Sequence, residues 1–343
     1  MKSSDKELPV RPSLAGRILR RTVWGVSGFI LLAVLVFALG PTNEFGPNQP
    51  AARAAPPADL MALDSWLSQS EAAFPDIRTN NAKGVVWHQG QRTRAPWAVV
   101  YLHGFTASRL ETAPLAERIA EPLGAHVFYT RLAGHGRSSA AMGEATVQDW
   151  LADAQEAMAI GRLLGERVLV VGVSTGATLA TWLGQQASLS GPQDVFVFVS
   201  PNFGPADKRT ELINGPWGQQ IAFAVSGDTV GSLTGDPAQD NAWTRVYPTQ
   251  ALFPMMSLVE YARESALPQW EAPLLVLYSE QDRTVDPAEI KAAFARKGGS
   301  RNTLKVVDYS EAEGQHVLAG DLRAPQATDR MARDVVEWVR SLD

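Results

Sequence analysis

Several residue types and charges are scarce in this sequence, and each absence removes a class of function. There is no cysteine, which excludes disulfides, cysteine-ligated zinc and thiol nucleophiles. Only five histidines occur in 343 residues, so few side chains are available as a general base near neutral pH. The net charge is −5 although residues 1–21 carry six Lys or Arg against two acids, so the rest of the chain is more acidic still. That balance argues against a nucleic-acid partner for the folded part.

Charge is also absent from Thr22 to Asn43, and nearly every residue from Val23 to Leu39 is apolar. At about 1.5 Å of rise per residue, a helix over this stretch comes close to spanning a hydrocarbon core roughly 30 Å thick. The basic segment 1–21 precedes the stretch and Glu44 follows it. By the positive-inside rule we expect a single-pass transmembrane anchor at 22–42 in the cytoplasmic (inner) membrane, with segment 1–21 in the cytoplasm and the remaining chain on the outer, periplasmic side.

Two other interpretations of the apolar stretch stay open. It is a signal peptide if the chain is cleaved at 52–54, which reads as an A-x-A site. That site lies well past the apolar run, however, and the run is longer than the usual length of about 7–15 residues. The third interpretation, a buried helix of a soluble protein, would require a surface that is apolar all round to be packed on every side. We therefore predict an uncleaved anchor.

The remaining chain divides into a linker and one domain. Residues 43–58 are rich in proline and alanine, a composition typical of an extended, semi-rigid linker. Asp59 has the features of an N-cap for a helix that ends near Phe74, and a single domain is expected over 59–343. Near-continuous apolar runs that alternate with helical patterns predict an α/β fold, with a mostly parallel sheet covered by helices on both faces. The predicted strands are Gly84–His88, Trp97–Leu102, His126–Thr130, Val168–Val173, Val195–Ser200, Leu274–Ser279 and Thr303–Asp308, and the helices include Leu110–Glu121, Val147–Leu164, Thr178–Ala187 and Gln326–Leu342.

One connection is far longer than a crossover between parallel strands needs. It covers about 201–268 and contains scattered aromatic and methionine side chains. An insertion at the carboxyl edge of a parallel sheet is well placed to form a cap over a site. The same side chains are also expected if the insertion simply has a small core of its own.

The pentapeptide Gly172–Gly176, with the sequence G-V-S-T-G, directly follows the apolar run 167–171 and leads into a predicted helix from Thr175 to about Ala187. A strand that enters G-x-S-x-G and continues as a helix makes a sharp turn, which exposes the serine hydroxyl at the carboxyl end of the strand. The amides at the start of the helix favour negative charge beside that hydroxyl. Ser174 is therefore the predicted nucleophile, and a plain tight turn is the alternative.

A serine hydroxyl needs a base to remove its proton, and the placement of the histidines favours His316. His316 lies in the loop just past the last predicted strand, at the carboxyl edge of the sheet where Ser174 is expected. The other four histidines lie inside predicted strands or in turns bracketed by glycine: His88, His126, His103 and His135.

The base needs a carboxylate to orient it, and the loop that begins at Glu280 supplies three acids. Asp282 lies where this loop turns across the sheet edge, whereas Glu280 is nearer the strand and Asp286 has the features of a helix N-cap. The earlier strand that ends at Ser200 is followed by no carboxylate. We therefore predict that Asp282 orients the base.

Acyl transfer also requires donors for the negatively charged oxygen of a tetrahedral intermediate. The backbone amide of Thr175, at the start of the helix, is one candidate donor. The amide of Phe105 is the other, because the sequence Leu102-His103-Gly104-Phe105 follows an earlier strand and its glycine lets the backbone turn close to a substrate.

These segments together resemble the α/β-hydrolase superfamily over residues 96–343, in the chain order Ser…Asp…His that is typical of it. They are similar to the branch that contains monoacylglycerol lipases, carboxylesterases and serine-aminopeptidase-like hydrolases. The resemblance implies an eight-stranded sheet, a cap between the sixth and seventh strands, catalysis by Ser174, His316 and Asp282, and no cofactor. The motifs that carry it are Leu102-His103-Gly104-Phe105, Ala133-Gly134-His135-Gly136-Arg137-Ser138, Gly172-Val173-Ser174-Thr175-Gly176, Gln281-Asp282-Arg283-Thr284-Val285-Asp286-Pro287 and Gln315-His316-Val317-Leu318.

The expected function is hydrolysis of a small carboxylic ester, with a short- to medium-chain acyl group or a lipid-like structure, through an acyl-enzyme on Ser174. A peptidase or amidase with the same three residues is the alternative, with Asp228, Asp236 or Asp240 as candidate groups to hold an amino terminus. A haloalkane dehalogenase is disfavoured because position 174 is not a carboxylate. A non-catalytic binding module is disfavoured because all three catalytic positions are filled. The sequence does not determine the oligomeric state.

Overall fold

The centre of the fold is a seven-stranded sheet, seen in a computed structural model that describes residues 13–265 and 267–343. The strands are hydrogen-bonded in the order β1-β3-β2-β4-β5-β8-β9, parallel throughout except for the edge strand β1. A separate two-stranded sheet joins β6 to β7. In chain order the elements are α1 (Leu14–Ala38), α2 (Leu60–Glu71), β1 (Gly84–Val86), β2 (Ala95–Leu102), α3 (Leu115–Leu123), β3 (Ala125–Tyr129), α4 (Ser139–Met142), α5 (Val147–Leu164), β4 (Gly165–Val173), α6 (Thr175–Gly184), β5 (Val195–Val199), α7 (Gly218–Ser226), β6 (Thr229–Gly231), α8 (Pro237–Ala242), β7 (Val246–Pro248), α9 (Leu252–Glu264), β8 (Leu274–Tyr278), α10 (Pro287–Arg296), β9 (Asn302–Val306) and α11 (Pro325–Arg340).

Both faces of the main sheet are buried, which explains why its strands read as continuous apolar runs. In β4, Val168 and Val170 pack into the core under α5, α6 and α9, whereas Leu169 and Val171 pack into a second core under α3 and α11. This alternation follows from the two-residue period of a strand. The predicted α/β fold is confirmed.

The number of strands differs from what the resemblance implied. The described residues contain seven strands in the main sheet, not eight, so the long insertion lies between the fifth and sixth of them, β5 and β8. The residues before β1 are bonded elsewhere, because the amide of Arg78 donates to Gly136 O and that of Lys83 donates to a Glu71 carboxylate oxygen.

Two helices begin at residues other than those predicted. Helix α3 begins at Leu115 and not at Leu110. Pro114 sets this boundary, because the residue before a proline is disfavoured in helical conformation. Helix α1 begins at Leu14, inside the predicted basic segment, and residues 1–12 of that segment lie outside the described residues.

Helix α1 is long and apolar enough to cross a membrane. Its residues 17–38 have a mean hydropathy of 1.9, and none of this surface is buried against the rest of the protein. The 25 residues of the helix span about 37 Å at 1.5 Å per residue, compared with roughly 30 Å for a hydrocarbon core. Length and composition are also compatible with a signal sequence.

Residues 43–53, here called the N-terminal strap, form neither helix nor strand, and they pack closely along the domain. Asn43 is buried and donates to Asn214 and to Phe253 O. The other contacts of the strap are a stack of Phe45 on Tyr261, a hydrogen bond from Trp182 to Asn48, one from the Ala51 amide to Gln148 O, and an ion pair of Arg53 with Asp153. The strap is therefore bound to α5, α6 and α9 and is not a free spacer.

The Arg53–Asp153 pair yields a test of the strap. Burial raises the pKa of Asp153 to about 6, and Arg53 opposes that rise. We expect Arg53→Ala to lower the free energy of unfolding by about 1–3 kcal/mol, because it leaves the buried Asp153 without its partner. The loss should be smaller than for a pair with both ions buried, because the Arg53 side chain is 30% exposed. Chemical denaturation of the full chain in detergent measures this loss. Arg92→Ala removes an exposed ion pair with Asp64 and should cost less than about 1 kcal/mol. Equal losses in the two variants would contradict a stabilising role for the strap.

Candidate active site

Ser174 lies on a strained turn between β4 and α6. Its backbone has φ of 51° and ψ of −119°, a conformation that non-glycine residues rarely adopt. The turn is also tightly packed, because a Cβ on Gly176 would stand 2.1 Å from Leu102 O. The amide of Ser174 donates to Val199 O at 2.9 Å, which ties the turn to β5. These contacts hold the serine at the carboxyl edge of the sheet.

His316 contacts both of the other residues predicted to act with it. Its Nε2 lies 3.0 Å from Ser174 Oγ, and its Nδ1 lies 2.8 Å from Asp282 Oδ2. The hydroxyl of Ser200, at the end of β5, donates to His316 O at 2.7 Å and fixes the loop that carries the imidazole. Sequence reasoning noted Ser200 only as the end of a strand without a carboxylate.

Asp282 is buried, and backbone amides fix its orientation. Its Oδ1 accepts hydrogen bonds from the amides of Thr284 at 2.8 Å and Val285 at 3.0 Å, which leaves Oδ2 directed at His316. The two neighbouring acids are bonded elsewhere. Glu280 accepts from Tyr278 and Lys291, and Asp286 caps α10 through the amide of Ala288, as its sequence context predicts.

The remaining histidines serve the structure of the domain. His103 accepts from the amide of Leu132, and burial lowers the pKa of His103 to about 4, so the ring is neutral at pH 7. Burial also lowers the pKa of His135 well below its usual value. His126 accepts from the amide of His88 and lies on β3. None of these rings contacts Ser174.

Phe105 and Thr175 line the same cavity as Ser174. Thr175 is the first residue of α6, where a backbone amide has no acceptor within the helix. Neither the Thr175 amide nor the Phe105 amide donates to a protein acceptor in the described part of the chain. Both are therefore free to donate to a substrate oxygen. The Phe105 ring is held edge-on by Tyr247 and His135 at centroid distances of 5.4 and 5.9 Å.

A buried carboxyl that sequence reasoning missed supports the loop of Phe105. Glu111 Oε1 accepts from the Gly104 amide at 2.7 Å and from the Tyr101 hydroxyl at 3.0 Å. A Cβ on Gly104 would lie 3.0 Å from Glu111 Oε2 and 3.3 Å from Ser174 Cβ, so the carboxyl lies directly behind the turn. Burial raises the pKa of Glu111 to about 8, and the carboxyl is mainly protonated at pH 7. The sequence around Glu111 gives no sign of this role, because an acid near the start of a predicted helix is usually interpreted as a helix cap.

The cavity over Ser174 has a volume of about 410 Å³, within the usual range of small-molecule sites. The insertion between β5 and β8 supplies much of its wall, which combines apolar side chains with polar ones, two arginines among them. These wall residues include Trp243, Arg245, Tyr247, Leu252, Met255 and Met256, and the loops after β9 add Glu313, Val317 and Arg323. A larger cavity of about 620 Å³ lies between the strap, α2 and α5 and contains none of the predicted catalytic residues.

A parallel sheet covered on both faces, with a serine, a histidine and an aspartate meeting at its carboxyl edge, defines the α/β-hydrolase class. The chain belongs to the family described as serine aminopeptidase, S33, whose model matches residues 93–318. It is a hydrolase of the lipase and esterase branch of this class.

Individual relatives agree with this assignment. The chain is 26% identical to a thermostable monoacylglycerol lipase from Bacillus sp. (strain H-257) over 243 residues, which cover 68% of this chain and 88% of the relative. A structure of the metagenome-derived lipolytic enzymes LipS and LipT matches with a TM-score of 0.61 and 20% identity, over 78% of this chain and 99% of that one. The monoglyceride lipase of Saccharomyces cerevisiae matches with a TM-score of 0.56 and 14% identity, over 76% and 91%. At these identities the solved structures show the fold.

The buried carboxyl of Glu111 makes stability depend on pH. Because the folded state holds the Glu111 proton to about pH 8 and an ordinary glutamate loses it near 4.5, wild-type stability should fall as pH rises between those values. Glu111→Gln keeps the acceptor for Gly104 and removes this titration. The melting temperature of the variant should therefore exceed that of the wild type by an amount that grows from pH 5 to pH 8. A difference in melting temperature that stays constant from pH 5 to pH 8 would contradict the assignment of a raised Glu111 pKa.

Proposed function

We propose that the protein is a serine hydrolase that cleaves carboxylic esters through an acyl-enzyme on Ser174. The observation that carries the proposal is the position of His316, within hydrogen-bonding distance of both Ser174 Oγ and Asp282. A nucleophile, a base and an orienting acid in this arrangement are what acyl transfer by serine requires.

In the proposed mechanism, Ser174 Oγ attacks the ester carbonyl while His316 Nε2 takes the hydroxyl proton. Asp282 holds the imidazole by its Nδ1–H and stabilises the imidazolium. The amides of Thr175 and Phe105 donate to the oxyanion, each contributing on the order of 3 kcal/mol to the transition state. The histidine then protonates the leaving alcohol. In the second half, His316 takes a proton from water as the water attacks the acyl-enzyme, and the proton returns to Ser174 as the acid leaves.

We propose a short- to medium-chain acyl group or a lipid-like ester as substrate. The side chains of Leu252, Met255 and Met256 form an apolar part of the cavity wall that suits an alkyl chain. Of the acids considered for an amidase, Asp236 caps α8 and Asp240 accepts from the amides of Thr234 and Gly235. No contact in the described residues favours these acids as a site for an amino terminus.

Ser174→Ala tests the nucleophile. The variant should fold with an unchanged melting temperature and lose at least about 10⁴-fold in kcat on p-nitrophenyl butanoate, because removing the nucleophile abolishes the acyl-enzyme route. Ser190→Ala, on the loop after α6 and outside the cavity, is the matched control and should keep wild-type activity. Hydrolysis by Ser174→Ala at the wild-type rate would show that another residue attacks the ester.

We further propose that α1 anchors the enzyme in the cytoplasmic membrane and that the hydrolase domain, residues 59–343 with a cap at about 201–268, lies on the outer side. The supporting observation is that none of the apolar stretch 17–38 is buried in the protein, which is unfavourable in water. Trp217, just before α7, connects the end of α1 to the folded domain. Its Nε1 donates to Val36 O, and its backbone amide donates to Pro41 O.

A fusion of alkaline phosphatase after Asp343 tests this topology. Alkaline phosphatase folds only when it is exported, so the fusion should show phosphatase activity. That activity should sediment with membranes. The same fusion without residues 13–39 should be inactive, because the segment that directs export is gone. An inactive full-length fusion, with the protein present at normal levels, would overturn the proposed orientation.

A further inference from the structure

Two arginines line the cavity that contains Ser174 and His316, and among the described residues no other Lys or Arg lines it. Both side chains are half-buried, and a charge taken out of water is costly unless a negative group accompanies it. Among the ion pairs of residues 13–265 and 267–343, neither Arg245 nor Arg323 takes part. Their charge is therefore available to a ligand.

Arg245 is fixed beside the loop that carries one candidate oxyanion donor. The preceding amide, that of Thr244, donates to Thr106 O at 2.7 Å, directly after Phe105. The guanidinium lies over the ring of Trp243 at 4.8 Å. Its Nε is buried and has no hydrogen-bond partner. The Arg245 side chain is therefore held on the cavity wall, with hydrogen-bonding capacity that the described protein atoms leave partly unused.

Arg323 is fixed beside the loop that carries the base. Its Nη2 donates to Glu313 O at 3.2 Å, three residues before His316. The two guanidinium groups meet at one neutral acceptor, Gln239 Oε1, at 3.0 Å from Arg323 Nη1 and 3.2 Å from Arg245 Nη2. The proximity of Arg323 contributes to a lowered pKa of Arg245, after the larger effect of burial.

The acids near this pair do not neutralise it by direct contact. Asp236 accepts from Gln239 Nε2, and the charges of Asp236 and Asp240 act on Arg245 at a distance, without an ion pair. Asp240 accepts from backbone amides of its own loop. Glu313 is the only acid among the residues that line the cavity, and its side chain is exposed.

We propose that Arg245 and Arg323 bind an anionic group of the substrate, so that the enzyme prefers esters that carry a carboxylate or a phosphate close to the scissile bond. Guanidinium groups bind both anions through paired N–H donors, and partial burial strengthens that attraction relative to bulk water. This inference rests on the proposed esterase function and specifies its substrate class.

Two matched pairs of esters test the preference and distinguish the position of the anion. The acyl pair is the mono-p-nitrophenyl ester of glutaric acid against p-nitrophenyl pentanoate. The alcohol pair is 1-butanoylglycerol 3-phosphate against 1-butanoylglycerol. In at least one pair, wild-type kcat/KM should be about tenfold or more higher for the anionic member. Preference for the neutral member in both pairs would overturn the proposal.

Variants assign the preference to the arginines. The double variant Arg245→Gln/Arg323→Gln should lose the preference, mainly through a rise in KM for the anionic ester of about tenfold or more, while kcat/KM for the neutral ester stays within about threefold. Glu313→Gln removes a negative charge from the cavity wall and should therefore increase the preference for the anionic ester. Arg209→Gln, which removes an exposed arginine of the insertion outside the cavity, is the control and should change neither ester. Equal losses on both members of a pair would assign the arginines a structural role only.

Binding separates this inference from the proposed reaction. If the wild type cleaves none of the four esters, the esterase function fails. Titration of the full chain with glutarate and with glycerol 3-phosphate then tests the arginines alone. Saturable binding that is lost in the double variant supports the anion site. Absence of binding to the wild type overturns it.

Discussion

The close approach of two backbone segments beneath Ser174 is the constraint on which the rest of the site depends. Helix α6 can begin this near to the end of β2 because position 176 is glycine, since any Cβ there would collide with Leu102 O. This approach places Thr175 and the loop of Phe105 at the same cavity as Ser174. The strained backbone of Ser174 costs about 1–3 kcal/mol. Parallel strands buried on both faces offset that cost, because they leave the turn no room to relax.

Backbone amides and buried side chains fix the positions of the predicted catalytic groups. Asp282 is fixed by two amides on one oxygen, and Glu111 is fixed by Gly104 from behind the turn. The loop of His316 is held by the hydroxyl of Ser200. Groups arranged in this way need little reorganisation as charge develops, which is the main source of electrostatic catalysis.

The N-terminal strap connects the apolar helix α1 to the hydrolase domain and packs against that domain. A linker of this composition would by itself allow the domain many orientations. Contacts of Asn43, Phe45, Asn48 and Arg53 instead bind the strap along three helices of the domain. A membrane-spanning α1 would therefore hold the domain in a restricted orientation. The cost of ordering the strap is offset by buried hydrogen bonds and one ion pair.

The sequence by itself determined the class of fold, all seven strands of the main sheet, the Ser174 turn, and the choice of His316 and Asp282 as its expected partners. Those features depend on the periodicity of apolar residues and on turn chemistry, which act between neighbours in the chain. Only the tertiary structure decided that seven strands suffice, that the strap is docked, that Glu111 lies behind the turn, and that Arg245 and Arg323 meet at Gln239. These features join residues far apart in sequence, and their geometry exists only once the two cores have packed.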